Sequence, residues 1–203
     1  MYPADLRRKD ELAYAAAHLG AIEINATLRR LQTPATFARW RDAVPEDFRF
    51  ALKGSRNVVT RPRLADAGEA VSRFCGQGIA DLGDRLGPIL WQWPAHRPFD
   101  AGDIAAFLSL LPREVEGLPL RHPIEAGHAS FACDSFAALA RRVGVAIAVI
   151  DAPGVPRIEI AATDFAYVRL KNAEAWLKRG YPPAEIARWA RWALAEEADG
   201  RDV

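Results

Sequence analysis

The stretch Val145-Ala146-Ile147-Ala148-Val149-Ile150-Asp151 decides the fold class of this chain. Six apolar residues in a row are typical of a parallel strand that is buried on both faces, and a carboxylate follows them. Five more stretches combine a short apolar run with a polar side chain at or near its carboxyl end, and they span residues 21–25, 49–53, 89–93, 120–125 and 166–170. Helical patterns separate most of these strands, so the sequence predicts an α/β fold with a parallel sheet.

The polar side chains at these strand ends form the predicted functional site, because parallel α/β folds bind ligands at the carboxyl ends of their strands. Four of them are of types suited to proton transfer or nucleophilic chemistry, and these catalytic candidates are Glu23, Lys53, Glu125 and Asp151. The others suit ligand binding, and they are Asn25, Gln92, His128 and Arg169.

Bulk composition restricts the class of protein. The chain has 203 residues, and no shift in composition marks a linker, so we expect one domain over residues 1–203. A net charge of +1 argues against nucleic acid as a partner. The N-terminus lacks the apolar segment of a signal peptide, and no apolar run is long enough to span a bilayer. We therefore expect a cytoplasmic protein without a membrane partner.

Two of the acidic and basic candidates come from the first strands. Glu23 and Asn25 share strand parity, so both are expected to point to the same side of the sheet. Glu23 is interpreted either as a general base or ligand anchor, or as a structural ion-pair partner of Lys53. Lys53 suits a Schiff-base nucleophile, an anion anchor or that ion pair. Residues 49–63 carry five basic side chains and no acidic one, which favours an anionic ligand or a solvated surface.

The later strands leave further alternatives open. Glu125, His128 and Asp151 follow strands and would suit a divalent cation, although their spacing matches no known metal motif. Glu125 and Asp151 would equally suit an acid–base pair with separated pKa values. Gln92 and Arg169 fit substrate-orienting roles, and Arg169 would either clamp an anion or form a salt bridge with Asp151 or Glu125.

The order of these motifs resembles the YecE-like family, also called domain of unknown function 72. The resemblance covers nearly the whole chain and lies in residues 21–27, Thr33-Pro34, Trp40, residues 44–53, residues 82–94, Arg121-His122, Glu125, His128, Ser130-Phe131 and residues 164–170. It implies a fold similar to TIM barrels. It implies no particular reaction and no particular cofactor, so the cofactor stays unknown.

The chain departs from the family pattern in ways that affect both fold and site. The family's Gly-rich first strand and its last strand have no counterpart, so we expect an incomplete TIM-type (β/α) barrel with strands two to seven. Strands 21–25 and 166–170 would then be edges, which predicts a homodimer or aggregation. The family's Thr-His and Arg-Leu-His-Gly are Thr60-Arg61 and Arg169-Leu170-Lys171-Asn172 here.

These departures favour a binding protein over an enzyme. We expect a small anionic metabolite as the ligand and a degenerate, non-catalytic site, since one misplaced group costs about a hundredfold in rate. The alternative is a metal-assisted or acid–base enzyme, of hydrolase or isomerase type, acting on a phosphorylated or carboxylated metabolite.

Overall fold

The chain folds as an α/β protein with a parallel central sheet. A computed structural model describes residues 2–203. The strands are β1 Ala21–Ile24, β2 Arg49–Lys53, β3 Leu86–Gln92, β4 Glu114–Val115, β5 Leu118–Pro119, β6 Pro123–Glu125, β7 Ala146–Ile147, β8 Val149–Asp151 and β9 Val168–Leu170. The α-helices are α1 Glu11–Ala16, α2 Ala26–Arg29, α3 Pro34–Asp42, α4 Arg56–Val59, α5 Gly68–Cys75, α6 Ala101–Ser109, α7 Asp134–Val143 and α8 Pro183–Ala198. Short 3₁₀ helices span Arg8–Asp10, Leu64–Ala67, Ile79–Arg85 and Ala129–Phe131.

The strand pairings of residues 2–203 fall into three sheets. The central sheet has the order β1-β2-β3-β6-β7, β8 pairs with β9, and β4 pairs with β5. The β1–β2, β2–β3, β6–β7 and β8–β9 pairs are parallel, and β4–β5 is an antiparallel hairpin that the sequence did not predict. The predicted fold class, α/β with a parallel sheet, is confirmed.

The chain divides into two compact units. One comprises the chain up to Trp91 together with Ser109–His122, and the other comprises Gln92–Leu108 and Pro123–Val203. The prediction of a single domain over residues 1–203 stays a prediction.

In the first unit, aromatic side chains from β2 and the neighbouring helices form the core. Phe37, Phe50 and Phe74 are fully buried. Helix α3 begins after Thr33, whose hydroxyl accepts a hydrogen bond from the Thr36 N–H, and Pro34 occupies its first turn. Helix α5 ends at Cys75, and Gly78 shortly after it has a φ of +98° that a helix does not allow.

In the second unit, four aromatic rings pack where β3 ends. Trp93 lies 5.7 Å from Phe107 and 5.4 Å from Phe131, and Phe131 lies 5.0 Å from Phe136, measured between ring centroids. Helix α7 follows Cys133, whose side chain makes no capping hydrogen bond.

The apolar stretch that decides the fold class forms two short strands instead of one. The Ala148 N–H donates to the Ile124 carbonyl, and the next N–H, of Val149, donates to the Tyr167 carbonyl. The stretch therefore changes its neighbour at this point, and β7 and β8 belong to different sheets.

The predicted edge at residues 166–170 has a neighbour at its start. The Ala166 N–H donates to the Asp202 carbonyl over 2.7 Å, and the Asp202 N–H donates to the Asp164 carbonyl over 3.1 Å. Strand β1 lies at one end of the central sheet, as predicted for residues 21–25. Within residues 2–203, no helix has the length and apolar character needed to cross a membrane.

Candidate functional site

A buried carboxylate, Glu125, is the centre of the candidate site, and it lies in the second unit. Glu125 ends β6 with only 5% of its surface exposed. Its Oε1 accepts hydrogen bonds from Gln92 Nε2 over 2.8 Å and from Lys171 Nζ over 2.5 Å. Its Oε2 accepts from an Arg169 guanidinium nitrogen over 2.5 Å. Three of the predicted site residues, Gln92, Glu125 and Arg169, are thus brought together.

Backbone pairing places these side chains next to one another. The Trp93 N–H donates to the Glu125 carbonyl over 3.0 Å, which aligns the ends of β3 and β6. Arg169 lies opposite Ile150 in the β8–β9 pair, and the Lys171 N–H extends that pair by donating to the Asp151 carbonyl. Because alternate residues of a strand point to the same face, Arg169 and Lys171 reach Glu125 together.

The charge of Glu125 is stabilised by its partners. Burial raises the pKa of Glu125, but the hydrogen bonds and positive charges of Lys171 and Arg169 lower it further than burial raises it. The net pKa lies below its ordinary value of 4.5, so the carboxylate is ionised at neutral pH. Arg169 and Lys171 keep 16% and 31% of their side chains exposed, so this positive pair is accessible from solvent.

Asp151 ends β8, and its carboxylate contacts the last helix and the segment before it. The Trp189 indole N–H donates to Asp151 Oδ2 over 3.3 Å. Burial raises the pKa of the Tyr181 hydroxyl, and so does the hydrogen bond that Tyr181 makes with Asp151. The guanidinium groups of Arg157 and Arg188 each lie 4.5 Å from the Trp189 ring. Asp151 therefore helps to fix α8 in place.

His128 has a local structural contact. Its Nδ1 accepts a hydrogen bond from the Ser130 N–H over 3.2 Å, so the His128 side chain caps the 3₁₀ helix Ala129–Phe131. The same Nδ1 lies 2.8 Å from the Ser130 hydroxyl. No group of three or more His, Cys, Asp or Glu side chains among residues 2–203 is arranged to hold a metal ion. The metal-site alternative built on Glu125, His128 and Asp151 therefore gains no support from these residues and stays a prediction.

The remaining candidates belong to the first unit. Glu23 is half-buried on β1, opposite Ala51 of β2. Lys53 ends β2 with 7% of its surface exposed, and its carbonyl accepts the Thr27 hydroxyl over 2.8 Å. Asn25 is exposed and has helical backbone angles, because β1 ends at Ile24 and α2 follows. The prediction that Asn25 continues the strand and shares the parity of Glu23 is wrong.

Sequence reasoning missed Lys171 and Tyr181. In the sequence Lys171 stands out only as a departure from the family pattern, although its position two residues after Arg169 predicts the same facing. Tyr181 lies in an irregular segment without periodicity, so only its burial in the structure reveals it.

A cavity of about 220 Å³ lies elsewhere in the second unit. It is lined near the start of β8 and of β9, with Phe165 and Trp192 among its walls, and none of the eight predicted site residues borders it. Its charged lining residues are ion-paired, since Arg201 binds Glu196 over 2.6 Å and Glu159 pairs with Arg157. The Glu125 cluster, which brings three of the predicted site residues together, remains the candidate site.

Comparison with known proteins identifies the family of this chain. The model of the family described as "Protein of unknown function DUF72" matches residues 1–203. The chain belongs to the DUF72 family.

Individual relatives support the same assignment. The chain is 32% identical over 110 residues to the UPF0759 protein YecE of Escherichia coli strain K12, and the match covers 53% of this chain and 40% of that protein. The same identity and coverage hold for the protein of that name from Escherichia coli O157:H7. The chain thus spans about two fifths of the length of these relatives.

Solved structures show the same fold. A DUF72 family protein from Enterococcus faecalis V583 has a TM-score of 0.74 at 20% identity, with 96% of this chain and 84% of that chain covered. A DUF72 family protein from Thermotoga maritima MSB8 has a TM-score of 0.73 at 21% identity, with 98% and 82% covered.

Proposed function

We propose that this chain binds a small anionic metabolite where β6, β8 and β9 end. One observation supports this proposal most directly. Two cations, Arg169 and Lys171, both contact one buried carboxylate and keep solvent-accessible surface. The side chains of Arg169, Lys171 and Glu125 together carry a net charge of +1. Glu125 orients both cations, which lowers the entropy lost when an anion binds, and Gln92 fixes the carboxylate from the other side.

Binding without catalysis is the function that this geometry supports best. Both oxygens of Glu125 already accept hydrogen bonds, and its lowered pKa keeps it ionised. Such a group is a poor general acid at neutral pH, because it has no proton to give. Asp151 is engaged by Trp189 and Tyr181. The alternative, an acid–base enzyme, requires one of these carboxylates to exchange its partners for a substrate.

The test is calorimetric titration of the purified chain with inorganic phosphate, ribose 5-phosphate and citrate. We expect Arg169→Ala to weaken binding at least tenfold, because a hydrogen bond between charged groups contributes about 1.5–3 kcal/mol. Lys171→Ala is expected to act in the same direction. The matched control is Arg73→Ala, whose guanidinium lies 67% exposed beside Glu69.

Binding that is unchanged in both Arg169→Ala and Lys171→Ala would contradict the proposal. The same titrations of Lys53→Ala and Glu23→Gln test the first unit separately. Affinity lost only in Lys53→Ala would place the anion at the end of β2, where residues 49–63 carry five basic side chains and no acidic one.

We also infer that the fold is an incomplete TIM-type (β/α) barrel. Parallel pairing of β1–β2–β3, β6–β7 and β8–β9, with helices between most strands, supports this architecture. A crystal structure with an open, doubly wound sheet would contradict it.

A homodimer through β1 is the corresponding proposal for assembly. Strand β1 ends the central sheet of the described residues, and unprotected edges favour pairing between chains. Light scattering is expected to give a dimer for the natural chain and a monomer for Ala21→Lys, since Ala21 is exposed and charges block edge pairing. A natural chain that is monomeric at all concentrations would contradict this.

A further inference from the structure

The segment between β9 and α8 presents a tryptophan to solvent. Trp176 is 79% exposed, whereas the other exposed large hydrophobic side chains of residues 2–203 range from 41% to 63%. Single exposed apolar side chains are ordinary. An indole is a large apolar group, however, so leaving it in water gives up more stabilisation from burial than a smaller apolar side chain would. The position of Trp176 is therefore informative.

Hydrogen bonds hold the loop that carries Trp176. The Asn172 N–H donates to the Tyr181 hydroxyl over 2.7 Å, and the Glu174 N–H donates to the Gly180 carbonyl over 2.6 Å. The Leu177 N–H donates to the Glu174 carbonyl over 3.0 Å, inside the same closed loop. These hydrogen bonds give the loop a defined structure, so the exposure of Trp176 does not come from an unstructured segment.

The base of this loop is part of the candidate site. Lys171, the residue before Asn172, binds Glu125 through its Nζ and binds the Asp151 carbonyl through its N–H. Tyr181, at the other end, contacts Asp151. Trp176 is five positions after Lys171, so their Cα atoms are at most about 18 Å apart.

The loop tip is also positively charged. Lys178 and Arg179 follow Trp176 and are not buried. Residues 171–180 contain three basic side chains and one acidic one, Glu174. An exposed aromatic ring beside cations is the combination that proteins use to bind anions with a flat ring, because stacking is independent of base identity and the charges attract phosphate.

We propose that the ligand of the Glu125 site is an anion that carries a planar ring, of the nucleoside phosphate class, and that Trp176 stacks on the ring. The proposal rests on the function proposed above. Arg169 and Lys171 bind the phosphate, and the loop tip contributes the stacking surface. Trp176 is therefore a specificity-determining residue and has no part in holding the phosphate itself.

The test compares three probes by calorimetry: adenosine 5′-monophosphate, ribose 5-phosphate and inorganic phosphate. In the natural chain we expect the nucleotide to bind about tenfold more tightly than ribose 5-phosphate, as stacking on one aromatic side chain allows. Trp176→Ala is expected to remove this preference and to leave the affinity for ribose 5-phosphate unchanged. Trp176→Phe is expected to keep most of the preference. Leu194→Ala, at an exposed site on α8, is the matched control.

The outcomes separate this inference from the proposed function. If ribose 5-phosphate and the nucleotide bind equally and both depend on Arg169, the anion site stands and the ring inference is overturned. A preference for the nucleotide that survives Trp176→Ala also overturns it. If none of the three probes binds, the proposed function fails, and the ring inference fails with it.

Discussion

His122 in the first unit and Glu125 in the second are each only 5% exposed, but they differ in charge and in hydrogen-bond partners. His122 is neutral: its Nδ1 lies 3.1 Å from the Trp91 indole nitrogen and its Nε2 lies 2.7 Å from the Pro112 carbonyl. Glu125 is charged and has three side-chain partners. The difference separates a buried polar group that is neutral and packed from one that is charged and paired with two cations.

The partners of His122 define its tautomer. The Trp91 indole only donates, so Nδ1 accepts, and the Pro112 carbonyl only accepts, so Nε2 carries the proton. Burial lowers the pKa of His122, and the hydrogen bond to Pro112 offsets this only in part. Burial also favours the neutral form of Glu125, because it raises the pKa of the carboxyl group. The hydrogen bonds and charges of Lys171 and Arg169 lower that pKa by more, so Glu125 stays charged.

Removing the Glu125 carboxylate is expected to have the largest effect. Glu125→Leu leaves Arg169 and Lys171 together without the charge that binds them, and breaking a buried ion pair costs about 3–5 kcal/mol. We expect about 3 kcal/mol, because Lys171 is 31% exposed and water compensates its loss. Urea unfolding measures the change. A loss below about 1 kcal/mol would show that the two cations are stabilised without Glu125.

Removing the His122 ring is the corresponding change in the first unit. His122→Ala takes the Nδ1 acceptor from the Trp91 indole and the donor from the Pro112 carbonyl, and it leaves a cavity. The expected loss of stability is about 2–3 kcal/mol in urea unfolding. His122→Gln supplies a donor and an acceptor and should recover part of it. Equal stability of the two variants would contradict the role of these hydrogen bonds.

Sequence reasoning finds Gln92, Glu125 and Arg169 because each lies at or near a strand end, where parity and apolar runs are readable. It misses Lys171 because the apolar run ends at Leu170, so the sequence alone does not show that the strand pairing continues to Lys171. The prediction for Asn25 is wrong since the strand ends one residue earlier than the pattern suggests and the chain turns helical. Local patterns thus locate strands, while the exact residue at which a strand ends depends on its neighbours.

Gly54 shows how tightly the Trp91 ring is packed. A Cβ built on Gly54 would lie 2.3 Å from Trp91 Cε3, and the Trp91 side chain is fully buried. Gly54→Ala is therefore expected to displace the ring and to cost about 2 kcal/mol, as overpacking does. Gly20→Ala is the control, since a Cβ added there would meet nothing within 4 Å. Equal stability of the two variants would show that Trp91 is free to move.

The lowered pKa of His122 predicts a dependence of stability on pH. The unfolded chain binds a proton at His122 near pH 6.5, whereas the folded chain binds it only at lower pH. The stability from neutral His122 is therefore complete above pH 6.5 and is lost as pH falls below it. Between about pH 7.5 and about pH 5.5 we expect the natural chain to lose about 1 kcal/mol more than His122→Gln.

Urea unfolding at the two pH values measures this difference. Glu125 should contribute little to it, because its pKa lies below 4.5 in the folded chain. Identical pH dependence in the natural chain and in His122→Gln would contradict the assignment of a neutral, buried imidazole.

Leu194→Gln is expected to change the free energy of unfolding least, and it tests directly which face of α8 is buried. The spacing of Ile186, Trp189, Ala190, Ala193 and Leu194 predicts one inward face of α8. In the structure Trp189 is buried, but Leu194 is 63% exposed. Helical spacing gives an average direction, and whether a side chain is covered depends on what packs over that turn of the helix. Leu194→Gln should therefore change the free energy of unfolding by less than about 0.5 kcal/mol, as at other surface positions.

Trp189→Leu is the matched comparison on the same helix, because it removes both a buried ring and the hydrogen bond to Asp151. It should destabilise the chain clearly more than Leu194→Gln does. If Leu194→Gln costs as much as Trp189→Leu, another surface covers Leu194 in solution. The dimer proposed above would be the first explanation to examine, by repeating the unfolding at several protein concentrations.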